Sequence, residues 1–220
     1  MNLWIKETDS IDTKSSKMIA TLDFLYKKAL NGRNRNDTVQ KMVEEVLKRY
    51  PNNPQKACKE FIKDQAIKCG ATGFVTGLGG LLTIPLAVTA DIGVTWYIQL
   101  RMIMAIAAIY GFDIHSDKVK TFVYICLVGQ APTNVLKDAG VKIGTKLTKN
   151  AIQKISGHSL KKINQMIGFR FITKAGEKGV INMSKTIPFV GGIIGGVFDF
   201  TSTKVIAERA IRIFGEEISY

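Results

Sequence analysis

Apolar residues recur every three or four positions along the first third of the chain, which is the period of an amphipathic helix. The run from 39 to 50 is the clearest, because a short polar stretch ending at Thr38 offers it an N-cap. Residues 10–30 show the same period, and so does the segment that follows Pro51 and Pro54. No period-two alternation bounded by hairpin turns is visible. The pattern predicts an all-α fold, a compact bundle of eight or nine helices.

A long apolar block begins at Cys69 and continues to Phe112 with only two charged side chains, Asp91 and Arg101. Its length would suit a membrane span, but glycines and a proline run through its middle and disfavour one straight helix. We therefore expect a first helix, a glycine bend, and a second helix over 85–110 that begins at a proline and stops at a glycine.

A second apolar block spans residues 186–203, and both blocks carry glycines spaced so that helix backbones can approach closely. Each block thus predicts a glycine-rich apolar helical hairpin, in a protein core or in lipid, with the core favoured. Proline-to-glycine spacing is similar in the two blocks, 26 residues from Pro85 to Gly111 and 27 from Pro188 to Gly215, which indicates two related units. The glycines assigned to close packing are Gly73, Gly77, Gly79, Gly80, Gly191, Gly192, Gly195 and Gly196.

Three polar side chains, Asp91, Thr95 and Gln99, follow one another at four-residue spacing on the long apolar helix. A polar row in an apolar segment needs partners, since an unpaired buried carboxylate is costly. We expect a buried, hydrogen-bonded row that fixes the helix register. The alternative is a polar lining for a ligand headgroup or a coupling ion.

Positive charge is the strongest compositional feature of these 220 residues, with a net charge of +13. Most of it lies in 137–185, whose 11 basic and two acidic side chains give +9. A period of about 100° per residue predicts a basic amphipathic helix over 142–155. Such a face is either simply solvated or bound to anionic headgroups. The residues proposed to bind anionic lipid are Lys142, Lys146, Lys149, Lys161 and Lys162.

Known catalytic and metal-binding patterns are missing from the sequence. The three cysteines and two histidines show no metal-ligand spacing, and no nucleotide-binding glycine loop or nucleophile elbow occurs. We expect no enzyme activity, no cofactor and no metal, with free thiols in a reducing compartment. Absence of a secretory signal predicts a cytoplasmic location. By composition, a polar helical region at 1–68 precedes a helical domain at 69–220.

Residues 77–114, GLGGLLTIPLAVTADIGVTWYIQLRMIMAIAAIYGFDI, and residues 185–215, KTIPFVGGIIGGVFDFTSTKVIAERAIRIFG, resemble the EcsC family. That family has a similar glycine-rich run, a proline-led apolar helix and a late glycine block. In the late block Asp199 stands where an asparagine-like residue is expected. The resemblance implies a bacterial, membrane-associated helical protein on the cytoplasmic side, without a recognised catalytic centre, and supplies no substrate.

The leading hypothesis is a peripheral protein of the inner membrane face that binds anionic lipid through its basic segment and its apolar hairpins. A membrane protein such as a transporter is a second candidate partner. One alternative is a membrane-permeabilising effector that inserts its hairpins. Non-specific nucleic-acid binding is another, although lysines outnumber arginines ten to one in 137–185, where base readout favours arginine.

Overall fold

In the computed structural model the described residues form nine helices and no strand, which confirms the all-α prediction. The structure describes residues 2–32, 34–70, 90–129, 132–141, 148–174 and 204–215. The helices are α1 (Asn2–Asn31), α2 (Val39–Arg49), α3 (Pro54–Gly70), α4 (Ala90–Ile109), α5 (Asp117–Val128), α6 (Pro132–Asp138), α7 (Lys149–Gln153), α8 (Gly157–Lys174) and α9 (204–214).

Short-range signals set the helix starts. The Thr38 hydroxyl accepts the Lys41 amide proton at 3.2 Å, so α2 begins where the polar stretch before it predicted. At α3, Pro54 occupies the first helical position and the Asn53 side chain accepts a hydrogen bond from the Lys56 amide at 2.9 Å. In each helix a side chain therefore satisfies one of the free amide groups of the first turn.

Glycine ends α4 as predicted. Gly111 adopts φ +77°, and its amide donates to the Ala108 carbonyl while the Phe112 amide reaches back to Ala107. This pair of bonds satisfies the last carbonyls of the helix and needs a left-handed residue, which glycine adopts without strain. The expected start of this helix at Pro85 lies outside the described residues.

The core centres on α4 and α5, because a long stretch of each helix is mostly apolar and buried on every side. Every side chain from Arg101 to Ala107 and from Thr121 to Val128 is buried. Helices α1 and α2 pack on α4, and α8 packs on α1 and α5. The apolar cluster extends from Met18 to Phe214, so α1–α3 share one core with the later helices.

One helix prediction is wrong. The charge pattern predicted a continuous helix over 142–155, but Thr148 is extended, with φ −90° and ψ 162°, and the helix that follows it runs from Lys149 to Gln153; residues 142–147 lie outside the described part. The Thr148 hydroxyl accepts the Ala151 amide proton at 3.1 Å and makes Thr148 an N-cap. Because an N-cap residue is extended, the helix that side-chain polarity predicted cannot continue through Thr148.

Candidate functional site

One face of α8 is exposed and basic. His158, Lys161, Lys162, Gln165 and Phe169 are all exposed, and at about 100° per residue they lie within about 60° of one line along the helix. Phe169 retains 45% of its surface in solvent. The opposite face is buried and carries Ile163, Ile167 and Phe171. The residues of the exposed face are called the α8 basic face below.

The two lysines of the α8 basic face have no partner among the described residues. Neither Lys161 nor Lys162 forms an ion pair or hydrogen bond with the part of the chain that the structure describes. Nearby on α8, Arg170 pairs with Asp138 at 3.4 Å. Lys161 and Lys162 are exposed, and no carboxylate of the described residues neutralises their charges, so an anion can approach them.

Helix α8 is held in place by an unusually close crossing with α1. The Ser15 hydroxyl donates to the Gln165 carbonyl at 3.0 Å, 150 residues away in sequence. A Cβ on Gly168 would lie 2.3 Å from the Ser15 hydroxyl and 2.7 Å from its carbonyl oxygen. The two backbones therefore touch, which only a glycine at 168 permits. The crossing fixes the α8 basic face relative to the core.

A polar network also joins α1, α5 and α8. One carboxylate oxygen of Asp23 accepts from the Tyr124 hydroxyl at 2.7 Å and lies 3.2 Å from the Lys120 ammonium. Lys120 also pairs with Asp117 at 2.9 Å. Thr121 donates to the Asn164 amide oxygen at 3.1 Å, which ties α5 to α8. The network orients α8 through hydrogen bonds at one edge of an otherwise apolar core.

Burial and charge shift the pKa values of this network. Burial, and then the carboxylate of Asp23, raise the pKa of Tyr124. Burial by itself would lower the pKa of Lys120, but the hydrogen bond to Asp117 and the charge of Asp23 raise it above its ordinary value. At neutral pH Tyr124 is consequently neutral and Lys120 charged, so the network keeps its bonds.

Arg101 organises the loop between α1 and α2. Its guanidinium donates to the Ala29 carbonyl at 3.0 Å, to the Asp37 carbonyl at 2.7 Å and to the Asp37 carboxylate at 2.9 Å. A Cβ on Gly32, whose φ is +64°, would overlap the Asp37 carbonyl. Sequence reasoning assigned Arg101 no role, although a lone arginine in an apolar block signals a buried partner.

Among the described residues, no group of histidine, cysteine, aspartate and glutamate side chains could hold a metal ion. Within the same residues, no helix combines the length and the apolarity that a bilayer crossing requires.

The sequence model of the EcsC protein family matches residues 6–215. The chain belongs to the EcsC family. Comparison with curated proteins and with solved structures found no match. The family match begins well before residue 77, where the motifs that carry the resemblance start, so it includes the N-terminal helices.

The two motif segments of the EcsC resemblance meet in the structure. Phe112, after α4, packs edge to face on Phe214 of α9 with ring centroids 5.0 Å apart. Gly215 lies against the Tyr110 ring, which a Cβ there would approach to 3.0 Å. Gly111 has a positive φ and Gly215 does not, so the matching glycines end their helices differently. Their shared role is close contact at one end of the bundle.

Among the predicted lipid ligands, Lys149 has different surroundings from Lys161 and Lys162. Its ammonium sits over the Phe112 ring, 5.3 Å from the centroid, and the residue is only partly exposed. Lys149 therefore contributes to packing at the end of α4. Lys142 and Lys146 lie outside the described residues.

Of the predicted polar stripe, Gln99 is buried in α4, as expected for a polar row inside the bundle. Asp91 and Thr95 lie on the helical backbone of α4, and their side chains are outside the described part. All the glycines assigned to the hairpins also lie outside it: Gly73, Gly77, Gly79, Gly80, Gly191, Gly192, Gly195 and Gly196.

Proposed function

We propose that this EcsC-family chain is a non-enzymatic peripheral membrane protein that binds anionic lipid through the α8 basic face, on the cytoplasmic side of the membrane. The observation that carries the proposal is the exposure of Lys161 and Lys162, which have no partner in the described chain, on the same helix face as Phe169. Cations beside an exposed aromatic ring are the composition of helices that rest on a lipid–water interface.

The expected affinity is modest. A lysine near an anionic bilayer contributes about 1 kcal/mol, so Lys161 and Lys162 together contribute about 2 kcal/mol, or roughly 30-fold in binding. Binding of this kind is reversible and weakens with salt, because the Debye length falls to about 3 Å at 1 M ionic strength. Further basic residues of 137–185 add to the attraction wherever they approach the surface.

Flotation with lipid vesicles tests the proposal. Protein should float with vesicles that contain about a third phosphatidylglycerol and should stay at the bottom with pure phosphatidylcholine, since only the former carries net charge. The Lys161→Gln/Lys162→Gln double variant should lose roughly 30-fold in affinity. Equal flotation with both lipids, or none with either, would contradict the proposal.

A matched control separates this face from total charge. Lys59 and Lys63 on α3 are also exposed. Lys59→Gln/Lys63→Gln removes the same two charges from a helix that contacts α2 and α4. We expect it to keep most of the vesicle affinity. If both double variants weaken binding equally, net charge is responsible and the α8 basic face is not the binding surface.

Other anionic partners are outcomes of the same assay. Duplex DNA offers phosphate charge without an acyl region, so tight, salt-sensitive DNA binding with no flotation would favour nucleic acid. Release of a trapped dye at low protein concentration would instead favour the permeabilising alternative. A carbonate wash of cell membranes addresses the hairpins, since adsorbed protein is released and inserted protein is retained.

A further inference from the structure

The position of Phe169 on the α8 basic face has a physical cost in water. Close to half of its surface is exposed, although Phe171, two residues on, is buried against Trp96 with ring centroids 4.8 Å apart. Around the helix axis, Phe169 lies about 20° from the midline of the face. Lys161 lies about 60° from that midline on one side, and Lys162 about 40° from it on the other. The ring therefore points outward on the same face as Lys161 and Lys162, at an angle between theirs.

We propose that α8 lies in the plane of the bilayer interface and inserts Phe169 below the lipid phosphates, so that the ligand of this face is an anionic bilayer with accessible acyl chains. This inference rests on the proposed function. The lysine ammonium groups of such a helix can bind lipid phosphates, because their long aliphatic stems let the charged ends remain among the headgroups. The phenyl ring between them then faces the hydrocarbon.

Rigid placement of the helix makes insertion of a single ring effective. Contact between Ser15 and Gly168 anchors α8 one residue before Phe169. The helix is already ordered before binding, so little conformational entropy is lost when the face meets the membrane. From Lys162 to Phe169 the rise is about 10 Å, which places charge and ring over neighbouring lipids.

Fluorescence of a tryptophan placed at 169 tests insertion. The chain contains Trp4 and Trp96, so Phe169→Trp is made in a Trp4→Phe background, in which Trp96 is buried against Phe171. With vesicles of anionic lipid whose acyl chains are brominated near the headgroup, the Phe169→Trp reporter should shift to shorter wavelength and be quenched. The Trp4→Phe parent, which retains Trp96, should show neither change.

Affinity provides a second readout that needs no reporter. Phe169→Ala should weaken vesicle binding about tenfold, because roughly half of the phenyl surface remains to be buried. Phe169→Leu, which keeps an apolar side chain, should recover most of that loss. Circular dichroism checks that each variant is folded, which is expected since the side chain faces solvent.

The outcomes separate the two proposals. If the variants bind anionic vesicles but the Phe169→Trp reporter is not quenched, or Phe169→Ala binds like the parent, insertion is wrong and adsorption by charge remains. If the parent does not bind anionic vesicles, both proposals fail. Quenching together with a tenfold loss in Phe169→Ala supports insertion.

Discussion

Replacement of Arg101 by methionine should destabilise the protein strongly. Arg101 is buried on α4, and its guanidinium donates to the Ala29 carbonyl at the end of α1 and to both the carbonyl and the carboxylate of Asp37. Methionine keeps an unbranched apolar stem, but it is shorter than arginine, lacks the guanidinium and donates no hydrogen bond. The substitution therefore removes the polar contacts and leaves the space of the guanidinium unfilled.

The expected magnitude follows from what is left behind. Removing one partner of a buried, hydrogen-bonded charge pair costs about 3–5 kcal/mol, because the remaining groups lose their compensation. Of the three acceptor oxygens on Ala29 and Asp37, two are backbone carbonyls, so Asp37→Asn in the Arg101→Met background should recover only about 1 kcal/mol. Arg101→Lys should cost less than Arg101→Met, since an ammonium keeps the charge but cannot span both acceptor residues as a planar guanidinium does.

Urea unfolding followed by circular dichroism at 222 nm measures all four members of the Arg101/Asp37 cycle. The free energies of unfolding give the coupling between the two side chains directly. If Arg101→Met costs less than 1 kcal/mol, the guanidinium does not hold the α1–α2 loop. If Asp37→Asn fully rescues Arg101→Met, the carboxylate and not the carbonyls accounts for the contact, and our assignment is wrong.

Two further predictions concern packing and pH. Gly168→Ala should lower the free energy of unfolding by about 1–3 kcal/mol, because the new Cβ overpacks the contact with α1. Adding Ser15→Ala should not restore stability, because the Ser15 carbonyl oxygen remains 2.7 Å from that Cβ. Gly157→Ala is the control: its Cβ meets nothing within 4 Å, so it should be neutral in the same urea assay. Burial raises the pKa of Cys58 to about 12 and also raises that of Cys126, so the thiols stay protonated in the fold and stability falls as pH rises above about 9. Above that pH each buried thiol lowers the free energy of unfolding by about 1.4 kcal/mol per pH unit. Cys126→Ala should make the fall of stability with pH less steep by that amount. If the steepness does not change, burial of Cys126 does not raise the pKa of its thiol.

Helix boundaries set by nearest neighbours in sequence were predictable. The stop of α4 at Gly111 and the cap of α2 at Thr38 both depend on bonds that span five residues or fewer. The same locality explains the error at 142–155. Thr148 is itself a capping residue, and its bond to the Ala151 amide competes with the helical period of the surrounding lysines. Charge periodicity gave no weight to that local bond.

Contacts between distant residues were not predictable. Ser15 and Gly168 are separated by more than 150 positions, and neither lies in the glycine blocks where close packing was expected. Composition placed Lys161 and Lys162 among the lipid ligands, but whether a described carboxylate pairs with them depends on which residues the fold brings near. Phe169 was visible only as one aromatic residue in a basic segment, because its exposure is decided by the rotation of α8.

The fold uses some of its cations internally and leaves others unpaired, and this division supports an anionic partner. Arg101 is paired with Asp37 and Lys120 with two aspartates, while Lys149 covers an aromatic ring. A net charge of +13 means that at least that many basic side chains have no carboxylate of their own anywhere in the chain. Like charges repel one another and destabilise a compact state, so a surplus of this size has an energetic cost. Binding to a negative surface removes that repulsion, and the α8 basic face is one place where the described structure exposes two such charges close together, there beside an exposed aromatic ring.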